Sequence, residues 1–213
     1  MAISLKKGQG VSLRKSENDQ SMVTIGLGWD VRKKETGALL SIFSKKEEDY
    51  DLDVIAFLCG ADERVKDLGR DKSGRATLVG GDVVFFNNMR HKSGQIWLTG
   101  DNRTGDGDGD DEQIVVKLND LPELYTKIVF VVQIYNGIKR GQSFGNIQNA
   151  FIRAKDARGS EMARFDLSIG TQYESCQSIL FAELSRETGG WRFNTIGNPS
   201  ESDSFVDWLK HYV

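Results

Sequence analysis

KIVFVVQIY, residues 127–135, is rich in β-branched and aromatic residues, and its apolar part from Ile128 to Ile134 is interrupted only by Gln133. A short run in which nearly every residue is apolar is typical of a central β-strand that is covered on both faces. It is the longest strongly apolar run of the chain, and it is far shorter than the roughly 20 residues that a membrane-spanning helix needs. We therefore expect residues 127–135 to form a central strand, and we expect no transmembrane segment.

Strand patterns extend from this segment in both directions along the chain. Nine further segments are short, rich in β-branched and aromatic residues, and bounded by Gly, Asn, Asp or Ser, which commonly form turns. Two packed antiparallel sheets are the natural way to bury ten such strands. The sequence therefore predicts an all-β fold, an antiparallel β-sandwich. The nine segments are Met22–Leu27, Leu52–Leu58, Val83–Asn87, Ile96–Leu98, Ile114–Leu118, Phe151–Ala154, Met162–Leu167, Ser178–Glu183 and Trp191–Ile196.

Helical spacing occurs at the end of the chain, where apolar residues from Phe205 to Tyr212 recur every three or four positions. Ser204 precedes them and is a suitable N-cap residue. We therefore predict a short C-terminal helix over Ser204–Tyr212, and Asn146–Phe151 is a second helix candidate.

The composition is that of a soluble globular protein. Of the 213 residues, 38% are hydrophobic and 28% are charged, and the net charge is −3, which argues against a disordered or fibrous chain. The chain has no clustered basic run, so nucleic acid is not an expected partner. The N-terminal residues lack the apolar stretch of a signal peptide, so we expect a cytoplasmic protein. In that reducing compartment, Cys59 and Cys176 are expected to be buried, reduced thiols.

Negative charge is concentrated in GDNRTGDGDGDDE, residues 100–112. From Asp101 to Glu112 this segment has six acidic residues and one basic residue, whereas the whole chain has a net charge of only −3. Two carboxylates about 4 Å apart repel each other by roughly 1 kcal/mol in water, and by nearer 4 kcal/mol at an effective dielectric constant of about 20. A folded loop with this composition needs a cation, and its alternating glycines allow carbonyl oxygens to turn inward as further ligands.

Calcium is the cation that fits this donor set best. All plausible donors in residues 100–112 are oxygen atoms, which excludes a typical zinc or copper site. Calcium takes about six to eight oxygen ligands in flexible geometry. An EF-hand beginning at Asp106 does not fit, because its glycine position falls on Asp111 and its glutamate position falls on Lys117. We therefore predict a Ca2+ site for one or two ions, built from sandwich loops, with a merely solvated acidic turn as the alternative.

A second acidic element lies at the ends of predicted strands. Asp51 and Asp53 fall on one face of a strand, because side chains alternate along it. Asp30 closes the segment GLGWD, residues 26–30. We expect these acids to converge with residues 100–112 in a two-loop metal site at the edge of the sandwich. An ordinary strand-capping role is the alternative for Asp30.

Eight motifs, taken together, resemble the TerD-type tellurium-resistance family, and GDNRTGDGDGDD is a highly specific one. The resemblance covers roughly Ile3 to Ile196. It implies a single TerD-like domain over residues 1–213, with variable insertions at about 31–50 and 61–81 and a C-terminal tail at 197–213. In chain order, the motifs are VSLRK at 11–15, GLGWD at 26–30, DLD at 51–53, FFNN at 85–88, GDNRTGDGDGDDE at 100–112, RGQSFG at 140–145, AFIR at 150–153 and ARFDL at 163–167.

The resemblance also implies a function: a calcium-binding β-sandwich that acts in the bacterial stress response, in tellurite resistance and, in some operons, in phage or colicin resistance. It implies other Ter-type stress proteins as partners and a place at the inner face of the membrane. The metal site would stabilise the module or recruit it to a partner or a membrane surface. The predicted site residues are Asp30, Asp51, Asp53, Asp101, Asn102, Gly105, Asp106, Asp108, Asp110, Asp111 and Glu112.

Two other classes of function remain open. The segment from Gly141 to Gly145 matches the G-x-S-x-G pattern of a serine hydrolase, in which Ser143 would be the nucleophile and Asp166 or Asp207 would precede His211. That pattern requires a strand–turn–helix context and a parallel sheet, neither of which the sequence predicts, so we expect no enzyme activity. The remaining alternative is a metal-independent protein-interaction module.

Overall fold

The computed structural model describes residues 3–31, 50–99, 110–166 and 171–213, which form two stacked six-stranded sheets. The predicted all-β sandwich is therefore confirmed. The strands are β1 (Ile3–Leu5), β2 (Gly10–Arg14), β3 (Val23–Val31), β4 (Leu52–Cys59), β5 (Val83–Val84), β6 (Ile96–Leu98), β7 (Glu112–Val116), β8 (Lys127–Ile134), β9 (Ile147–Lys155), β10 (Glu161–Asp166), β11 (Ser178–Glu187) and β12 (Gly190–Ser200).

The two sheets differ in strand order, and we call them sheet A and sheet B. Sheet A has the order β1-β10-β9-β3-β7-β6, and sheet B has the order β2-β12-β11-β8-β4-β5. Every pairing between these strands is antiparallel except that of β1 with β10, where Ile3 lies opposite Ala163 in a parallel ladder. The main core lies between the sheets.

The segment 127–135 is the central strand that its composition predicts. Strand β8 lies between β4 and β11, and every residue from Ile128 to Ile134 is buried. Phe130 and Val132 belong to the core between the sheets, whereas Val129 and Val131 belong to a second core on the outer face of sheet B. Both faces of the strand are therefore covered, which explains why apolar residues do not alternate with polar ones.

The second core is closed by the predicted C-terminal helix. Helix α2 (Phe205–Leu209; the short helix α1 is Gly137–Arg140) continues into a 3-10 turn at Lys210–Tyr212. Phe205 is buried, and its ring centroid lies 6.3 Å from that of Phe57. Ser204 occupies the N-cap position but makes no side-chain capping bond. The first N–H of the helix, that of Phe205, instead donates to Oε1 of Gln133 at 2.8 Å.

Two predictions about elements were wrong or incomplete. The helix candidate Asn146–Phe151 lies mostly within β9, since only Phe144–Asn146 is helical, as a 3-10 turn, and pairing with β3 and β10 overrides local propensity. The edge strands β1 and β2 were missed, because both are short and carry mixed polar and apolar residues.

The structure describes the second of the two predicted insertions in full and only the ends of the first. Residues 61–81 are mostly irregular, with an isolated bridge between Arg70 and Ala76, and most of their side chains are at least partly exposed. Of the insertion at 31–50, residues 32–49 lie outside the described residues. Across the described ranges, the helices are too short and too polar to cross a membrane.

Candidate functional site

Six of the eleven predicted site residues are described by the structure. They lie where the end of β3 and the beginnings of β4 and β7 meet, because Leu27 pairs with Glu112 and Glu112 contacts β4. The six are Asp30, Asp51, Asp53, Asp110, Asp111 and Glu112; the other five, Asp101, Asn102, Gly105, Asp106 and Asp108, lie outside the described residues.

Asp110 lies on the outer face of sheet A, above Gly26. Its side chain is 0% exposed, and its Oδ1 and Oδ2 lie 2.6 Å from Nε of Arg153 and 2.7 Å from Nζ of Lys155. Arg153 also contacts Glu161 at 3.1 Å. Burial alone would lower the pKa of Arg153, but its bonds to these two acids raise it above the usual value. The Asp110 carboxylate is thus held by two cations of the chain itself.

Asp111 joins the acidic segment to the end of β3. Its backbone N–H donates to the carbonyl of Leu27 at 2.7 Å, and its Oδ2 accepts the N–H of Trp29 at 3.0 Å. The residue is only 9% exposed. These two bonds extend the ladder between β7 and β3 by one residue and fix where the carboxylate lies.

Glu112 crosses from one sheet to the other. The residue begins β7 in sheet A, is 1% exposed, and its Oε2 accepts the backbone N–H of Val54 in sheet B at 2.6 Å. Strand β5 pairs only with Ala56 and Phe57 of β4, so it does not reach Val54. The Glu112 carboxylate therefore satisfies a buried N–H that β5 does not.

Asp53 lies on β4 of sheet B, and Asp51 directly precedes this strand. Asp53 is 6% exposed, and its Oδ2 accepts Nε2 of Gln133 at 3.0 Å. By alternation along β4, its side chain shares the outer face with Ile55, whereas Val54 faces the core between the sheets. Asp51 precedes the strand and accepts the N–H of Tyr135 on its carbonyl at 2.8 Å.

Asp30 is exposed at the end of β3, where its Oδ2 accepts the Nδ2 hydrogen of Asn149 at 2.7 Å.

The predicted acids therefore share one end of the sandwich but lie on different faces of it. Asp110 lies on the outer face of sheet A, Asp53 lies on the outer face of sheet B, and Asp111 and Glu112 are buried where the two sheets meet. In the described part of the chain, no three His, Cys, Asp or Glu side chains are grouped closely enough to hold a metal ion. A carboxylate offers about four acceptor positions, so a carboxylate that accepts a backbone N–H can also bind a cation. The carboxylate oxygens at this end of the sandwich are donors of the kind that a hard cation such as calcium prefers.

A second buried polar cluster was not anticipated from the sequence. His91 is 1% exposed; its Nε2 lies 3.1 Å from Oδ1 of Asp82, and its Nδ1 lies 2.8 Å from Oγ of Ser93. The hydroxyl of Tyr125 donates to the same Asp82 oxygen at 2.8 Å, and Nζ of Lys92 lies 3.1 Å away. Burial alone would raise the pKa of Asp82, but these donors hold it below the usual value.

This cluster joins the residues on both sides of β5 to the segment before β8, because Asp82 precedes β5, His91 follows it and Tyr125 precedes β8. His91 is thus a buried structural residue, held by Asp82 and Ser93. The signal that could have revealed the cluster is the His91-Lys92-Ser93 run in a turn-forming segment, but its partner Asp82 is identified only by the fold.

The two cysteines are buried and free. Burial raises the pKa of Cys59 to about 12 and that of Cys176 to about 12. Reactive cysteines need the thiolate form, so neither thiol is placed for nucleophilic or redox chemistry.

The G-x-S-x-G segment does not lie in a strand–turn–helix context. Gly141 ends helix α1, Ser143 is extended, and a 3-10 turn follows at Phe144–Asn146. A Cβ on Gly145 would come within 2.6 Å of the Glu174 carbonyl oxygen, so glycine is needed there for close backbone packing. The motif therefore has a structural explanation.

Comparison with known proteins agrees with the motifs. The TerD domain matches residues 1–212. Tellurium resistance protein TerX of Serratia marcescens is 64% identical over 213 residues, all of both chains, and tellurium resistance protein TerD of Alcaligenes sp is 40% identical over 92% of this chain and 90% of that protein. A solved homologue of telluride resistance protein (TerD) from Streptomyces coelicolor A3(2) shares the fold with a TM-score of 0.61 and 20% identity, covering 91% of this chain and 98% of that one. The chain therefore belongs to the TerD domain family of tellurium-resistance and stress-response proteins.

Proposed function

We propose that this protein is a calcium-binding module of the stress response, whose metal site forms at the acidic end of the sandwich. The observation that carries this proposal is the position of Asp111 and Glu112. These two consecutive carboxylates are 9% and 1% exposed and are buried where the two sheets meet, at the C-terminal end of the acidic segment 100–112. Burial of adjacent negative charge is unfavourable unless cations or donors offset it, and calcium would add to the backbone N–H donors that both carboxylates already accept.

The residues that would hold calcium are Asp111, Glu112 and the acids of the segment 101–108, with Asp51, Asp53 and Asp30 as further donors from neighbouring strand ends. Calcium would supply positive charge and flexible coordination by oxygen. The chain's own residues orient the site, since Trp29 and Val54 hold Asp111 and Glu112 through backbone N–H groups.

Calcium binding of this kind would stabilise the folded chain. A ligand that binds only the native state adds RT ln(1 + [L]/Kd), about 2.7 kcal/mol at a hundredfold excess over Kd. In the cell, the calcium-bound module would act in the cytoplasm at the inner face of the membrane. The metal site would recruit the module to other Ter-type proteins or to the membrane surface.

A metal-independent interaction module is the second candidate, and exposed apolar residues near Asp51 favour it. Phe86 and Tyr135 are 36% and 39% exposed, with ring centroids 6.0 Å apart, and Ile138 is 59% exposed. A contiguous exposed apolar surface, of which the contact between the Phe86 and Tyr135 rings would be the centre, commonly marks a site of protein interaction.

The two candidates are separated by a calcium titration in a calorimeter on EDTA-stripped protein, with melting curves in the presence and absence of calcium. We expect saturable binding of one or two ions and a higher Tm. Asp106→Asn with Asp108→Asn should abolish binding and leave a folded protein. The matched control is Asp120→Asn with Glu123→Gln, which removes two exposed charges beyond the far end of β7. Neither heat nor a Tm shift in the folded parent would refute the calcium site and put the interaction module first.

A further inference from the structure

Asp110 differs from the two acids that follow it, because cations of the chain occupy both its carboxylate oxygens. Arg153 and Lys155 both face outward from β9, because side chains alternate along a strand and the intervening Ala154 faces the core, as does Ile152 before Arg153. Both cationic side chains are largely buried, 18% and 25% exposed. A carboxylate held in this way already has its charge offset.

The position of the carboxylate is also defined sterically. Gly26 lies opposite Arg153 in the sheet, and a Cβ built at position 26 would overlap the Asp110 carboxyl carbon and both its oxygens. Glycine inside a strand commonly marks a place where another group approaches the backbone closely. Here, Gly26 provides the space in which Asp110 lies flat on sheet A.

We propose that Asp110, Arg153, Lys155 and Gly26 form an anchor that fixes the end of the acidic segment without metal, and that Arg153 and Lys155 are positioning residues for the calcium site. This inference rests on the proposed function, and it assigns to Asp110 the role of an anchor in place of the ligand role that its sequence context predicts. Asp111 and Glu112 directly follow Asp110, and their carboxylates accept the backbone N–H groups of Trp29 and Val54.

The anchor can be tested without metal by hydrogen exchange. Gly26→Ala keeps every charge but displaces Asp110, whereas Arg153→Gln with Lys155→Gln removes the cations. In metal-free protein, both variants should exchange the amides of Trp29 and Asp111 about tenfold faster, because the bonds of these amides open more often. The controls are Gly60→Ala, whose Cβ meets nothing closer than 3.4 Å, and Arg164→Gln, a cation that pairs with Asp166. Unchanged exchange in the anchor variants would overturn the proposal.

Calcium affinity distinguishes an anchor from a ligand. Loss of a residue that orients ligands typically weakens metal binding by about ten- to a hundredfold, which we expect for Gly26→Ala and for the double variant. Asp110→Asn should weaken calcium binding and also speed metal-free exchange. Were Asp110 a ligand, Asp110→Asn would leave metal-free exchange unchanged, and the double variant would bind calcium more tightly.

The two proposals fail in different ways. A folded parent that takes up no calcium refutes the proposed function, while its hydrogen exchange still decides whether the anchor exists. Should the double variant not fold, Gly26→Ala retains all charged groups and carries both measurements alone.

Discussion

The Glu112 carboxylate in sheet A accepts the backbone N–H of Val54 in sheet B at 2.6 Å, so one side chain joins the two sheets at their acidic end. The contact lies in the buried interior, with Glu112 only 1% exposed. Glu112 thus has a structural role in addition to the calcium-binding role that we propose, and mutation can separate the two roles.

Glu112→Ala should lower the free energy of unfolding by about 1–3 kcal/mol in metal-free protein, because it leaves the buried N–H of Val54 without an acceptor. Glu112→Gln keeps an acceptor oxygen and should cost less, while still weakening calcium binding. Urea unfolding monitored by tryptophan fluorescence measures the difference, and Gln113→Ala on the same strand is the control. Equal losses in the alanine and glutamine variants would contradict the role of the hydrogen bond.

Gln133→Ala should destabilise the protein by a similar amount, about 1–3 kcal/mol, because Gln133 bonds both Asp53 and the first N–H of helix α2. The exposed Gln148→Ala on β9 is the control. Hydrogen exchange at Phe205 should increase strongly in the first variant alone. If that amide stays protected, the helix is held by its apolar face without this bond.

The Asp82–His91 cluster predicts a loss of stability in acid. The folded pKa of Asp82 lies below its ordinary value of 3.8, so the ionised form stabilises the fold above that pH, and this contribution disappears as the pH falls through the folded pKa. Unfolding free energies measured between about pH 5 and pH 2 should therefore fall less steeply in Asp82→Asn than in the parent. Parallel curves would show that Asp82 does not contribute, and Asp120→Asn controls for general charge effects.

The two thiols should be unreactive in the folded state. Because burial raises the pKa of each to about 12, native protein at pH 8 should react with a thiol reagent such as Ellman's reagent only as fast as it unfolds. In urea, both cysteines should react rapidly. Fast labelling of the native protein would show that Cys59 or Cys176 is accessible and reactive in the folded state.

A fluorophosphonate probe should label neither the parent nor Ser143→Ala. The geometry at Ser143 is extended backbone followed by a 3-10 turn, which lacks the strand–turn–helix arrangement of a nucleophile elbow. Labelling of the parent that is lost in Ser143→Ala would support a hydrolase.

Most of the fold could be predicted from the sequence, because its strands are short, apolar and bounded by turn residues. Ile96–Leu98 was predicted with its observed bounds, and 127–135 was predicted as the central strand. The strands β1 and β2 could not be predicted in this way, since both are short and mix polar with apolar residues, and only their pairing with β10 and β12 identifies them as strands.

The sequence predicts where the acidic end of the sandwich lies, but it does not predict the contacts within it. The charge density of residues 100–112 is visible in the sequence, whereas the pairing of Asp110 with Arg153 and Lys155 depends on the register of β3 against β9. Gly26 inside a strand pattern was the available signal, since such a glycine indicates close approach of another group. The sequence does not say which group that is.

Gln133 also has a consequence for strand alignment. Side chains alternate along β8, so sliding the strand by one residue would turn Gln133 from the helix-covered face into the core between the sheets. There it would lose both Asp53 and the N–H of Phe205, and a buried amide without partners costs about 1–3 kcal/mol. Because the other residues of this strand are apolar on both faces, they discriminate weakly between the two registers. The amide of Gln133 therefore determines which face of the strand packs against the helix.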